Sequence, residues 1–139
     1  MSDFNSRNII RKELEIVSKE NPINIPINYV GKVIGIELES FYYTITNPSV
    51  RYLGININGL KGKYNELGNQ IACIQTIPYD AGSSSYKFQS TSDNDVLKLS
   101  GGEPNLYIQF VNREITGINP SLIPFSNNYL LNLSLYIET

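Results

Sequence analysis

The chain contains no histidine, no tryptophan and a single cysteine, Cys73. Histidine is the commonest general base and the commonest metal ligand, so its absence rules out His-dependent triads and, with one Cys, zinc sites within this chain. One cysteine also forbids an intrachain disulfide, and the chain reads as made inside a cell rather than as a stapled secreted module. Charge is scarce: 17% of residues are Asp, Glu, Lys or Arg, the net charge is −2, and no long run of Lys or Arg occurs. That argues against a surface that tracks nucleic-acid phosphates. No apolar run approaches transmembrane length, and Met1 to Arg7 has no apolar centre resembling a signal peptide.

What the chain does have is alternation. In the run Tyr129 to Ile137, Leu131, Leu133, Leu135 and Ile137 fall at every second position, so a strand would place all of them on one buried face. Asn132, Ser134 and Tyr136 take the other face, which suits a wetter environment. Leu106 to Val111 is a shorter apolar strand, followed by a polar break from Arg113 to Gly117. Val33 to Leu38, Phe41 to Thr46 and Arg51 to Asn58 read as strands, with Asn47-Pro48-Ser49 as a turn. Ile71 to Ile77 is apolar on both faces and reads as a strand buried mid-sandwich. Pro78 to Ser85 reads as loop, and Tyr86 to Phe88 and Val96 to Leu99 as short strands.

The N-terminal stretch differs. Ser6 to Lys19 fits a helix through Ile9, Ile10, Leu14 and Val17, with Ser6 as cap, or a strand through Leu14 and Ile16. The β character of the remainder favours the strand. Ile23, Ile25, Ile27 and Tyr29 alternate, but Pro22 and Pro26 restrict that run to an edge strand or an extended arm. The tally is about eight strands separated by Gly, Pro, Asn and Ser, the pattern of an all-β antiparallel sandwich or barrel. At 139 residues the length fits one domain. We divide it into residues 1–29, an N-terminal arm or edge strands, and a sandwich over residues 30–139.

Candidate sites are few, and each has a plainer explanation. Asp93-Asn94-Asp95, with Ser92 and Glu103 nearby, offers oxygens to a hard cation such as Ca²⁺, but its spacing matches no EF-hand and a solvated hairpin tip accounts for it. Glu37 and Glu39 share a strand face, whereas glycoside hydrolysis needs carboxylates opposed across a substrate. Lys61-Gly62-Lys63 with Tyr64 is too small a basic patch to imply nucleic acid. Gly101-Gly102 is followed by no helix that a phosphate would cap. Cys73 reads as a small core residue. These residues therefore give no catalytic, cofactor-binding or metal site.

The order of segments from Arg51 to Ile137 resembles a known family. Tyr52 to Leu60 precedes a loop carrying Tyr64; Ile71-Ala72-Cys73-Ile74 leads to Ile77-Pro78; after a hairpin come Asn105 to Phe110, a polar turn with Gly117, and the closing strand Leu131 to Glu138. This is similar to the single jelly-roll minor capsid and penton proteins of large double-stranded DNA viruses and virophages. The turn Asn112 to Gly117 lacks the Asp expected near its Gly, and Ile118 to Phe125 is longer and richer in proline than the pattern.

The resemblance implies a jelly-roll-like sandwich and a non-enzymatic structural role in the virion. Its implied partners are the major capsid protein and other minor capsid proteins, with homo-oligomerisation, and its implied mechanism is assembly through loops and an N-terminal arm from Asp3 to Tyr29. Few charges and ten tyrosines fit a surface made for protein contacts, although any one Tyr also serves to bridge core and water. The alternative function is a carbohydrate- or receptor-binding β-sandwich module.

Overall fold

A computed structural model describes residues 8–27, 31–57, 75–91, 96–99, 101–113 and 121–139, and the backbone of 63–64 and 70–71. Its strands in chain order are β1 (Ile9–Ser18), β2 (Ile23–Pro26), β3 (Lys32–Thr44), β4 (Tyr52–Ile57), β5 (Lys63–Tyr64), β6 (Gln70–Ile71), β7 (Gln75–Asp80), β8 (Ser85–Gln89), β9 (Leu97–Lys98), β10 (Asn105–Asn112) and β11 (Tyr129–Glu138). Among the described residues no helix is long and apolar enough to cross a membrane.

Among the described residues every strand pairing is antiparallel, and the order is β1-β11-β3-β8-β7-β4-β10-β2, with β9 beside β3 and β5-β6 a separate ribbon. The nesting is regular. β1 pairs with β11 and β2 with β10, while β3 pairs with β8 and β4 with β7. The sheet folds over at the β7-β8 hairpin, so β1-β11-β3-β8 and β2-β10-β4-β7 become facing layers. Phe41 of β3 and Phe110 of β10 meet across the gap with ring centroids 5.4 Å apart. This is an all-β, jelly-roll-like sandwich.

The core is built around β11. Leu133 lies between Leu14 of β1 and Leu38 of β3; Leu131 lies between Ile16 and Phe41. Leu131, Leu133, Leu135 and Ile137 are all buried, each worth about 1.5–3 kcal/mol in apolar area removed from water. On the opposite face Ser134 is fully buried and Asn132 and Tyr136 are half-buried. That face is drier than alternation implies, because neighbouring side chains cover it.

The helix-or-strand ambiguity of Ser6 to Lys19 resolves as strand β1. Its own apolar pattern is weak: Ile16 is buried while Ile10 and Val17 are exposed. The ladder with β11 decides its conformation, a tertiary effect overriding local propensity. Within the first 29 residues, the described part supplies the edge strands of both layers, β1 and β2, and Ile27 beyond them is buried.

Two stretches read as separate strands, Val33 to Leu38 and Phe41 to Thr46, join in the single strand β3, which stops at Thr44 and leaves Ile45 and Thr46 outside it. Ile36 and Leu38 are even-numbered, whereas Val33, Phe41 and Tyr43 are odd, yet all face the core. A strand of strict period two cannot do this. Register shifts opposite Asn132/Leu133 and Tyr136/Ile137 leave Glu39 and Ile34 as extra residues, and each bulge switches the parity.

Elsewhere the boundaries move. β7 runs through Pro78 to Asp80, a stretch read as loop, because Tyr52 pairs with Pro78 and the hairpin to β8 begins only at Asp80. The residues Ala72–Ile74 of the expected buried strand lie outside the described residues. β8 and β9 both lie along β3, with Ser90 donating its amide to Glu39 O and Leu99 to Ile34 O. They are two short strands, as the sequence implies, each paired with β3.

The proline-rich segment after β10 adds to the core. Phe125 stands edge-on to Tyr43 and Phe110 at 4.7 and 5.2 Å and lies 4.8 Å from Tyr129.

Candidate functional site

The most elaborated group of polar side chains lies on the outward face of β1, β11 and β3. Alternation sends Arg11 and Glu13 of β1 and Ser134 and Tyr136 of β11 to this face, with Glu37 opposite Ser134 on β3. The bulge adds Glu39. Arg11 donates from Nη2 to Glu39 Oε1 at 2.8 Å, and its Nη1 lies 3.5 Å from Glu13 Oε1. The Ser134 hydroxyl donates to Glu39 Oε1 at 2.7 Å and Ser90 Oγ to Glu39 Oε2 at 3.3 Å. Tyr136 donates its phenol proton to Glu37 Oε1 at 2.8 Å. Asn132 Nδ2 donates to Ser40 Oγ at 2.8 Å, and Lys32 pairs with Glu138 at 3.2 Å.

The electrostatics follow from these contacts. The Ser134 hydroxyl, and then the Arg11 guanidinium, hold the Glu39 carboxyl below the usual carboxylate range against the opposing effect of burial. The hydrogen bond to Glu39 keeps Arg11 firmly protonated. Burial, reinforced by Glu37, pushes the Tyr136 phenol up.

A carboxylate held ionised by several donors is a weak general base. Glu37 and Glu39 sit side by side on one strand, each with its own donors, and do not face one another across a cleft as glycoside hydrolysis needs. What this arrangement does is cross-link β1, β11 and β3, with Arg11 reaching over β11 to the β3 bulge.

A second polar fixture lies at the other layer. Asn21 Nδ2 donates to Phe110 O and Ile123 O, both at 2.7 Å, and Phe110 N donates to Asn21 Oδ1 at 2.9 Å. The side chain continues the β2-β10 ladder one rung past Ile23 and ties in the segment after β10. The tyrosines divide by role. Tyr43, Tyr79, Tyr86 and Tyr129 pack in or against the core and hydrogen-bond to Ser126, Ile45 O, Val50 O and Glu20 O respectively. Tyr42, Tyr52 and Tyr107 are exposed, at 43–44%.

Of the other residues singled out in the sequence, those described do not gather into a site. Ser92, Asp93, Asn94 and Asp95 lie outside the described residues, as do Lys61, Gly62 and Cys73. Lys63 and Tyr64 form β5. Glu103 accepts the Gly101 amide at 3.0 Å, closing a local turn. Gly101 has φ +97°, and the Lys32 stem occupies the place of a Cβ there, so the glycine serves a close approach. Among the described residues, no group of three or more His, Cys, Asp or Glu is placed to hold a metal ion.

Among the described residues, shallow hollows open at the β3-β4 and β7-β8 end. One of about 370 Å³ is lined by Pro48, Ser49, Val50, Arg51 and Tyr79; one of about 230 Å³ by Thr44, Ile45, Thr46, Ser83, Ser84 and Asn127. Neither lining contains an acid. Sequence reading missed Arg11, Asn21, Ser90 and Ser134. The one available signal was Ser134, a small polar residue amid alternating leucines.

Fold and polar face together define a jelly-roll-like β-sandwich whose outward carboxylates are tied to groups on neighbouring strands. No protein-family model matches the chain, and no curated protein matches it.

Proposed function

We propose that the protein is a structural component of a viral capsid, a minor capsid or penton subunit acting through protein-protein contacts. The observation that carries this reading is the nested strand order, β1 with β11 and β2 with β10 enclosing β3-β8 and β4-β7. It supports the fold that the family resemblance implies, and capsid proteins are among the principal users of that fold. Because a fold hosts many functions, the surface matters as well. Glu37, Glu39 and Arg11 are engaged with one another's neighbours, and Tyr42, Tyr52 and Tyr107 stand exposed on the outer faces, residues enriched where proteins meet. The major capsid protein and other minor capsid proteins are the partners this reading assigns.

The test is to purify particles from the source that encodes the chain and quantify it by mass spectrometry, alongside a glycan array of the isolated protein. A fixed stoichiometry in particles, with no glycan bound, is the expected result. A protein absent from particles that binds a defined sugar would overturn the proposal in favour of a carbohydrate-recognition module.

A further inference from the structure

The layers end in two different edges. β2 is short and includes Pro26, with Pro22 just before it, which are familiar protections for a sheet edge. β1 spans Ile9 to Ser18 without Pro or Gly, and among the described residues β11 is its sole partner.

The backbone direction at that edge can be read off. Thr139 donates its amide to Asn8 O at 2.9 Å, which makes Asn8/Thr139 a hydrogen-bonded pair. In an antiparallel ladder such pairs alternate. The even-numbered residues of β1 therefore bond to β11, and Ile9, Arg11, Glu13, Glu15 and Val17 aim their N–H and C=O groups away from the sheet.

We propose that this edge joins a second copy of the chain, β1 to β1 and antiparallel, about a two-fold axis at Glu13. Unbonded edge groups meet only in registers that set odd residues opposite odd ones. With the axis at Glu13, Arg11 stands opposite Glu15 on each side, Ile9 opposite Val17 and Ile10 opposite Ile16. The strand is complementary to itself in charge and in apolar character.

Neighbouring symmetric registers are poorer. One keeps Arg11 opposite Glu13 but sets Ile9 opposite Glu15 and Lys12 opposite Lys12; the other sets Glu13 opposite Glu15 and Arg11 opposite Val17. The pairing also covers Ile10 and Val17, which at 53% and 57% are the most exposed of the large hydrophobic residues described. Glu13 meets its own copy on the axis, where Arg11, 3.5 Å from Glu13 within each chain, supplies the balancing charge. Lys12 is exposed, so its ammonium stays in water opposite Leu14.

The result is one sheet continuous across two copies, an isologous interface. It requires only the edge, and it stands or falls independently of the capsid reading.

Sedimentation equilibrium and light scattering of the full chain test it. The wild type is expected to dimerise with concentration, and hydrogen exchange to slow at the amides of the odd-numbered β1 residues as it does so. Glu13→Pro removes a free-edge N–H and no β11 bond, so it should abolish the dimer with far-UV circular dichroism unchanged. Glu15→Arg, on an exposed side chain, places like charge opposite Arg11 and should weaken the dimer roughly tenfold. A wild type that stays monomeric at every soluble concentration overturns the proposal, as does a dimer that survives Glu13→Pro. A dimer lost with Glu13→Pro but indifferent to Glu15→Arg overturns the register. If Glu13→Pro fails to fold, Glu15→Arg with the exchange pattern decides.

Discussion

Asn21 offers the sharpest test of how the layers are held. Replacing it by Ala removes its amide from Phe110 N, Phe110 O and Ile123 O. Phe110 O keeps the Ile123 amide at 3.0 Å, so two main-chain groups, Phe110 N and Ile123 O, lose this partner. An unsatisfied buried group costs about 1–3 kcal/mol. The site is only part-buried, so water recovers some of this, and we expect Asn21→Ala to cost about 2–4 kcal/mol. For a domain of this length that lowers Tm by roughly 10 °C.

Asn21→Asp separates hydrogen bonding from shape. One Asp oxygen still accepts from Phe110 N, but the other faces two carbonyl oxygens where the amide stood 2.7 Å from each. Only a protonated carboxyl can donate there, so its folded-state pKa is raised above about 3.9. A raised pKa contributes stability that is present below the unfolded value and lost as pH rises through the folded one. Asn21→Asp should therefore approach the wild type in acid and fall below Asn21→Ala at neutral pH. Urea denaturation followed by circular dichroism or tyrosine emission, there being no Trp, measures both. An Asn21→Ala variant within about 0.5 kcal/mol of wild type, or an Asp variant more stable than Ala at neutral pH, would refute the reasoning.

Glu39 has a depressed pKa in the folded state, so its contribution is present above the usual carboxylate range and lost as pH falls through the folded value; Glu39→Gln should flatten that acid limb in a stability-pH series. Burial pushes the Tyr129 phenol up to about 12. In an ultraviolet titration Tyr129 and Tyr136 should both ionise late, Tyr129→Phe should remove Tyr129's share of that late step, and alkaline destabilisation should begin above about pH 10 as the unfolded chain ionises first. Leu133→Ala empties a fully buried position between Leu14 and Leu38 and should cost about 2–5 kcal/mol in denaturant melts; a cost of a few tenths would mean β11 is not central.

Legibility from sequence tracked how local each feature is. Alternation at Leu131 to Ile137 and at Leu106 to Phe110 identified central strands, because the period of two is a property of a single strand. The same rule failed at β3, where the bulge at Glu39 exists only against β11 and joins two apparent strands into one. It failed more instructively on the polar side of β11. Ser134 is buried because Glu39, 95 residues earlier, lies over it, and nothing near Ser134 announces that.

The sequence alone determined that the chain is all-β, which of its aliphatics share a buried face, and that His-based chemistry is absent, since composition and short-range periodicity suffice for those conclusions. Only the tertiary structure decided that β1 and β2 are opposite edges, that Arg11 reaches Glu39 across β11, and that Asn21 stands in for a missing rung of β2. Each of these depends on register between segments far apart in the chain. Register is set by the joint packing of all the strands and by bulges that reverse parity, not by any one strand's own order of residues.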